Sequence, residues 1–165
     1  MLNVERRGQF LDLMTESGWD VLLLYGHSWR KDFFRSLINF NFFGPHAVAA
    51  LTRSNEISVV FSHPWDSEFI ANRLDASVIW ERDFGAAVRR LVSGKTATAG
   101  REFMEARFVD EATVSATAAI EALRRIKTPN EIDFLKQQHG LQMPATVILP
   151  RRPKLAWQST SLLRK

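Results

Sequence analysis

The chain has 165 residues, 45% of them apolar, no cysteine and a formal net charge of +4. That is one domain's worth of chain with a single core. It excludes a disulfide framework and thiolate chemistry, and apolar runs of only about five residues exclude a membrane helix, which needs ~20. The basicity sits in the tail: residues 141–165 carry Arg151, Arg152, Lys154, Arg164 and Lys165 and no acid, leaving 17 basic and 18 acidic side chains before them. The near-neutral body has no electrostatic footprint for nucleic acid. Residues 1–7 hold no apolar leader. The expectation is a cytoplasmic protein with neither nucleic acid nor membrane as partner.

In chain order, residues 4–17 place Val4, Phe10, Leu11, Leu13 and Met14 along one side of a helix that Gly18 ends. Residues 20–25 read as a strand covered on both faces, because 21–25 is a continuous apolar run. Residues 26–41 are aromatic and polar, with a helix over 31–38. Residues 47–52 and 57–62 flank Arg53-Ser54-Asn55-Glu56, which reads as a β-hairpin. Pro64 opens a helix over 65–74, a strand follows over 76–81, and a helix over 84–92 closes at Gly94. A fifth strand spans 96–102, and residues 109–127 read as mostly helical. This alternation predicts an α/β fold, a mixed sheet flanked by helices on both faces. Pro144, Pro150 and Pro153 break the tail into an irregular segment.

Catalytic motifs are scarce. His27, His46, His63 and His139 show no metal-ligand spacing, and Gly8, Gly18 and Gly26 stand apart rather than forming a phosphate loop. A two-metal nuclease would need adjacent carboxylates on central strands. Asp20, Asp83 and Glu102 fall instead at strand ends, where solvated termini and helix caps account for them.

The most specific segment is Leu123-Arg124-Arg125-Ile126-Lys127-Thr128-Pro129-Asn130-Glu131-Ile132. Thr128 and Glu131 have capping-box spacing and Pro129 occupies the first helical position. A helix is predicted from there to a stop at Gly140. An arginine-rich helix end followed by this box resembles the interdomain junction of the creatinase, prolidase and aminopeptidase P family. The front agrees: Arg6-Arg7 through Met14, then Gly18-Trp19-Asp20-Val21-Leu22-Leu23-Leu24-Tyr25-Gly26, is similar to the family's opening helix and first strand. Ser36-Leu37-Ile38-Asn39-Phe40 departs from the family's Tyr-Leu-Thr-Gly-Phe-like segment by lacking the tyrosine and glycine. The resemblance runs from Val4 to about His139. It implies a creatinase-like N-terminal domain over 1–127, ribonuclease H-like in outline, a linker helix over 128–140 and an irregular basic tail over 141–165. It further implies that the two divalent metal ions and their Asp, Asp, His, Glu and Glu ligands belong to a catalytic domain this chain lacks. No cofactor and no catalytic residue is then expected here. A truncation, a frameshift and an expression boundary all remain open as origins of the tail.

Functional promise concentrates in residues 25–46, because loops at the carboxyl ends of strands present ligand-binding groups. The candidates are Trp29, Arg30, Arg35, Asn39, Phe42 and His46. The aromatics would supply contact area, and Arg30 and Arg35 would fork onto a carboxylate. The competing reading makes Phe33, Phe34, Phe40, Phe42 and Phe43 core or interface packing, with the arginines solvated. In the resembled family this domain helps form the homodimer and its loops reach over the partner's active site. The expected role is therefore homodimerisation and substrate gating without catalysis. The alternative is a free-standing ligand-binding or interaction module.

Overall fold

The structure, a computed structural model, describes residues 2–108, 113–133 and 135–137. The predicted tail over 141–165 and the helix stop at Gly140 lie outside these residues. The chain divides into two units, Met1–Ile126 and Lys127–Lys165.

The first unit is built on a mixed sheet. Helix α1 (Val4–Ser17) starts where the Asn3 side chain accepts from the Arg6 amide, and it stops at Gly18. Strand β1 (Val21–His27) leads to the short helix α2 (Asp32–Leu37), then β2 (His46–Thr52) and β3 (Ile57–Phe61). The β2–β3 connection is the expected hairpin, with Asn55 at φ 70°, a left-handed conformation that asparagine tolerates. Helix α3 (Pro64–Ala71) has Pro64 in its first turn and His63 as its N-cap. Strand β4 (Ser77–Trp80), helix α4 (Phe84–Arg89) and strand β5 (Thr96–Ala99) follow, then β6 (Val114–Ser115) and helix α5 (Thr117–Arg125).

The sheet order is β4-β3-β2-β1-β5-β6. β1, β2 and β3 run antiparallel in succession, while β5 lies parallel to β1, β6 to β5 and β4 to β3. Side-chain alternation divides β1 between two cores. Leu22 and Leu24 pack with Phe10 and Met14 of α1, Phe33 and Phe34 of α2, Ile70 of α3 and Ile120 of α5. Val21, Leu23 and Tyr25 face the other way, towards Phe84 and Val88 of α4 with Met104 and Phe108. Helices cover both faces, so β1 needs the unbroken apolar run that marked it.

One expectation needs correction, and one strand goes unannounced in the sequence. The fifth strand ends at Ala99 rather than residue 102, because Gly100 turns the chain with φ 83° into a 3-10 turn, Arg101–Phe103. The stretch over 109–127 is mostly helical where it is described, through α5. Among its described residues it contributes the two-residue edge strand β6 before α5, anchored by the Ala116 amide donating to the Thr98 carbonyl at 2.8 Å. Among the described residues the sheet has six strands where periodicity indicates five. Val114 and Ser115 are both exposed, so β6 has no alternation to betray it.

In the second unit the capping box at the junction is formed. The Glu131 carboxylate accepts from the Thr128 amide at 3.0 Å, and the Glu131 amide donates back to the Thr128 hydroxyl at 3.3 Å. Helical backbone follows over 129–133 and 135–137. None of the described helices is long and apolar enough to cross a membrane.

Candidate functional site

Three connections meet at one end of the sheet: residues 28–31 after β1, residues 38–45 before β2, and residues 62–66, which lead from β3 into the first turn of α3. The first is a tight turn in which His27 and Arg30 exchange backbone hydrogen bonds of 3.0 and 2.9 Å. The Ser28 amide donates to the Pro45 carbonyl at 3.1 Å, which ties the first loop to the second. Lys31 adds bonds to the Asn41 side chain at 3.0 Å and the Phe42 carbonyl at 2.5 Å.

The third loop holds the second through Asp66. This carboxylate, 1% exposed, accepts from the Phe43 amide at 2.8 Å and the Gly44 amide at 2.7 Å. Gly44 is required there: a Cβ would lie 2.8 Å from His63 Cβ and 2.9 Å from the Asp66 carboxylate. A buried carboxylate bonded to two backbone amides is a rigid clamp. It leaves the Phe43 ring 83% exposed, with Trp29 92% exposed and Trp65 72% exposed on the adjoining loops. Large apolar side chains held in water by an ordered backbone form a rim, the kind of surface that marks a contact site.

The predicted site residues do not gather as one group. Trp29 stands on the rim. Arg30 is already engaged, stacked 4.2 Å over the Phe103 ring and paired with Glu121 at 2.9 Å and Asp32 at 3.4 Å. Arg35 and Asn39 are exposed and bond to each other at 3.1 Å. Phe42 must be corrected: it is wholly buried, edge-on to Phe34 at 5.1 Å and tilted against Phe61 at 6.3 Å. It cannot touch a ligand or partner from there. Phe33, Phe34 and Phe40 are buried as well, so the core absorbs most of the aromatic density that suggested an interface.

His46 lies on the other face of the sheet. Its Nδ1 is 2.8 Å from the Tyr25 hydroxyl and its Nε2 is 3.4 Å from the Glu105 carboxylate. Burial lowers its pKa, with Glu105 opposing and His27 and Arg107 adding to the depression. Burial, reinforced by Glu105, pushes the Tyr25 phenol up to about 12.

Sequence reasoning missed Asp66, Trp65 and Glu105. Asp66 looks like an ordinary acidic residue in a helix's first turn, and only the returning loop reveals its burial.

Among the described residues no group of three or more histidines and carboxylates is placed to hold a metal ion. The strand-end acids have separate structural tasks. Asp20 accepts from the Lys95 amide at 2.9 Å, Asp83 caps α4 through the Ala86 amide at 2.9 Å, and Glu102 takes the Ser115 and Thr117 hydroxyls, each at 2.7 Å.

No protein-family model matches the sequence, and no curated protein matches it. Solved structures do. The creatinase/prolidase-like N-terminal domain of a Corynebacterium diphtheriae protein assigned as a metallopeptidase aligns over 67% of this chain and 91% of its own, with a TM-score of 0.50 and 11% identity. The fold is that of a creatinase/prolidase-like N-terminal domain. Prolidase from Pyrococcus furiosus aligns over 83% of this chain with a TM-score of 0.56 and 16% identity. Prolidase from Pyrococcus horikoshii OT3 aligns over 87% with a TM-score of 0.56 and 12% identity. The chain spans 40% and 41% of these two prolidases, matching their N-terminal part. At such identities the similarity is one of fold. It places the aromatic rim at one end of the sheet of a creatinase/prolidase-like N-terminal domain.

Proposed function

We propose that this chain serves as the non-catalytic N-terminal domain of a creatinase/prolidase-like metallohydrolase, contributing self-association and substrate gating. The two divalent metal ions would belong to the catalytic domain of that enzyme. The observation that carries the proposal is the rim: Trp29, Phe43 and Trp65 remain in water although their loops are pinned by buried hydrogen bonds. An aromatic side chain covers roughly 150–250 Å², so the three together supply about 500 Å². A stable interface takes ~800 Å² from each partner. The rim alone therefore supports weak, micromolar-range association, which a catalytic domain would strengthen. Trp29 keeps the contact role expected of it, and Phe43 takes over the one first assigned to Phe42.

The test of the non-catalytic assignment is hydrolysis of Xaa-Pro dipeptides by the purified chain with added Mn²⁺ or Co²⁺. The expected result is no turnover and no tightly held metal. Turnover that survives removal of contaminating peptidases, with about one metal ion per chain, would overturn it.

A further inference from the structure

We propose that His46 is a proton-operated switch between the sheet and the turn over residues 105–108: neutral, it accepts from the Tyr25 hydroxyl, and protonated, it donates to that oxygen, turns the hydroxyl hydrogen away and forms an ion pair with Glu105. This does not depend on the role proposed for the rim.

The polarity of the chain of bonds follows from its two ends. Glu105 can only accept, so the imidazole nitrogen 3.4 Å from it carries the hydrogen. In the neutral ring that leaves Nδ1 bare, and the Tyr25 hydroxyl donates to it at 2.8 Å. The opposite tautomer would set a bare nitrogen against a carboxylate. Adding a proton turns Nδ1 into a donor, and the Tyr25 hydroxyl hydrogen then loses its acceptor inside a side chain that is 2% exposed. A buried donor left unmade is costly. The same proton converts the Glu105 contact into an ion pair, while Nδ1 now donates to the Tyr25 oxygen.

The surroundings of the ring set when this happens. From β1 come Tyr25 and His27, and from the turn come Glu105 and Arg107. Glu105 is itself held by the Arg107 guanidinium at 2.7 Å. Helix α4 presents Phe84 to the ring at 5.7 Å, and Phe108 closes the pocket edge-on at 5.1 Å. Burial between two apolar walls opposes the proton, with His27 and Arg107 adding to it, and one carboxylate favours it. The turn is otherwise held by the Phe108 ring packed in the core with Tyr25 and Phe84, by the Phe108 amide bonding to the Glu105 carbonyl, and by Arg89 donating to the Arg107 carbonyl from α4.

Tyr25 is the only tyrosine in the chain, so its ring signals report the switch directly. The experiment is an NMR titration of the full chain from pH ~8 to ~5, following the His46 Cε1 proton and the Tyr25 ring together. The expected result is one common midpoint below the ordinary histidine value of 6.5. His46→Gln should hold the Tyr25 signals flat across that range. Glu105→Gln should move the midpoint down, while His27→Gln or Arg107→Gln should move it up. Glu105 is half-exposed, so its variant remains usable if His46→Gln fails to fold. Tyr25 signals that stay still while His46 titrates, or a midpoint that rises in Glu105→Gln, would overturn the proposal.

Discussion

Neighbours in sequence, Phe42 and Phe43 should differ sharply in what they contribute to stability. Phe42 is 0% exposed, and its ring meets Phe34 and Phe61 on one side and Lys31 Nζ, 4.9 Å above it, on another. Truncating a core phenylalanine to alanine costs ~3–5 kcal/mol from lost burial and the cavity left behind. The edge-on pair with Phe34 accounts for ~1 kcal/mol of that. Phe42→Ala should therefore lose about 4 kcal/mol, a large part of the ~5–15 kcal/mol that holds a domain folded. Phe43→Ala removes a ring that is 83% exposed and leaves both amides on Asp66 untouched. Its cost should be within ~0.5 kcal/mol. Urea unfolding followed by circular dichroism, at concentrations where the chain is monomeric, measures both. With a slope of ~2 kcal/mol/M, the Phe42→Ala midpoint should fall by about 2 M while that of Phe43→Ala stays in place. Equal shifts for the two variants would refute the division of this segment into core and rim.

Arg6 is fully buried and donates to the Leu123 carbonyl at 2.8 Å and the Ile126 carbonyl at 2.6 Å, closing the end of α5. Arg6→Met should cost ~2–4 kcal/mol by stranding those carbonyls, and Arg6→Lys should restore only part because it lacks the planar fork; urea midpoints decide both. Asp66→Ala frees two buried amides and should cost ~2–4 kcal/mol, with faster hydrogen exchange at Phe43 and Gly44 as its local signature. Alkaline unfolding should follow Tyr25. Its phenol ionises near 10 when unfolded but near 12 when folded, so the unfolded chain loses its proton first and stability falls as pH rises from about 10 towards 12. Tyr25→Phe should flatten that part of the stability profile measured by urea unfolding.

How far the sequence could be read depended on where the determining contact lay. Gly18, Pro64 and the Thr128–Glu131 box act within a turn of their own position, and each does what its spacing announces. The unbroken run of β1 and the turn at Asn55 are equally local, and with them came the mixed sheet. Strand β6 was hidden because two exposed residues carry no periodicity, and its pairing with β5 is a tertiary fact. The aromatic segment defeated the same logic. Residues 38–45 have no repeating dihedral angles, so nothing in their order says that Phe42 turns inward and Phe43 outward. That is decided by Asp66, 22 to 23 residues further on, gripping the two amides. Arg30 likewise looked free for a carboxylate ligand until Glu121, distant in sequence, took its guanidinium.

The rim as a contact surface is the central proposal, and sedimentation equilibrium tests it most directly. The wild-type chain should show concentration-dependent association in the micromolar range, and Trp29→Ser/Phe43→Ser should lower it at least tenfold while leaving the urea midpoint within about 0.5 M. A wild-type chain that stays monomeric at high micromolar concentration, or a double variant that associates as the wild type does, would contradict the account.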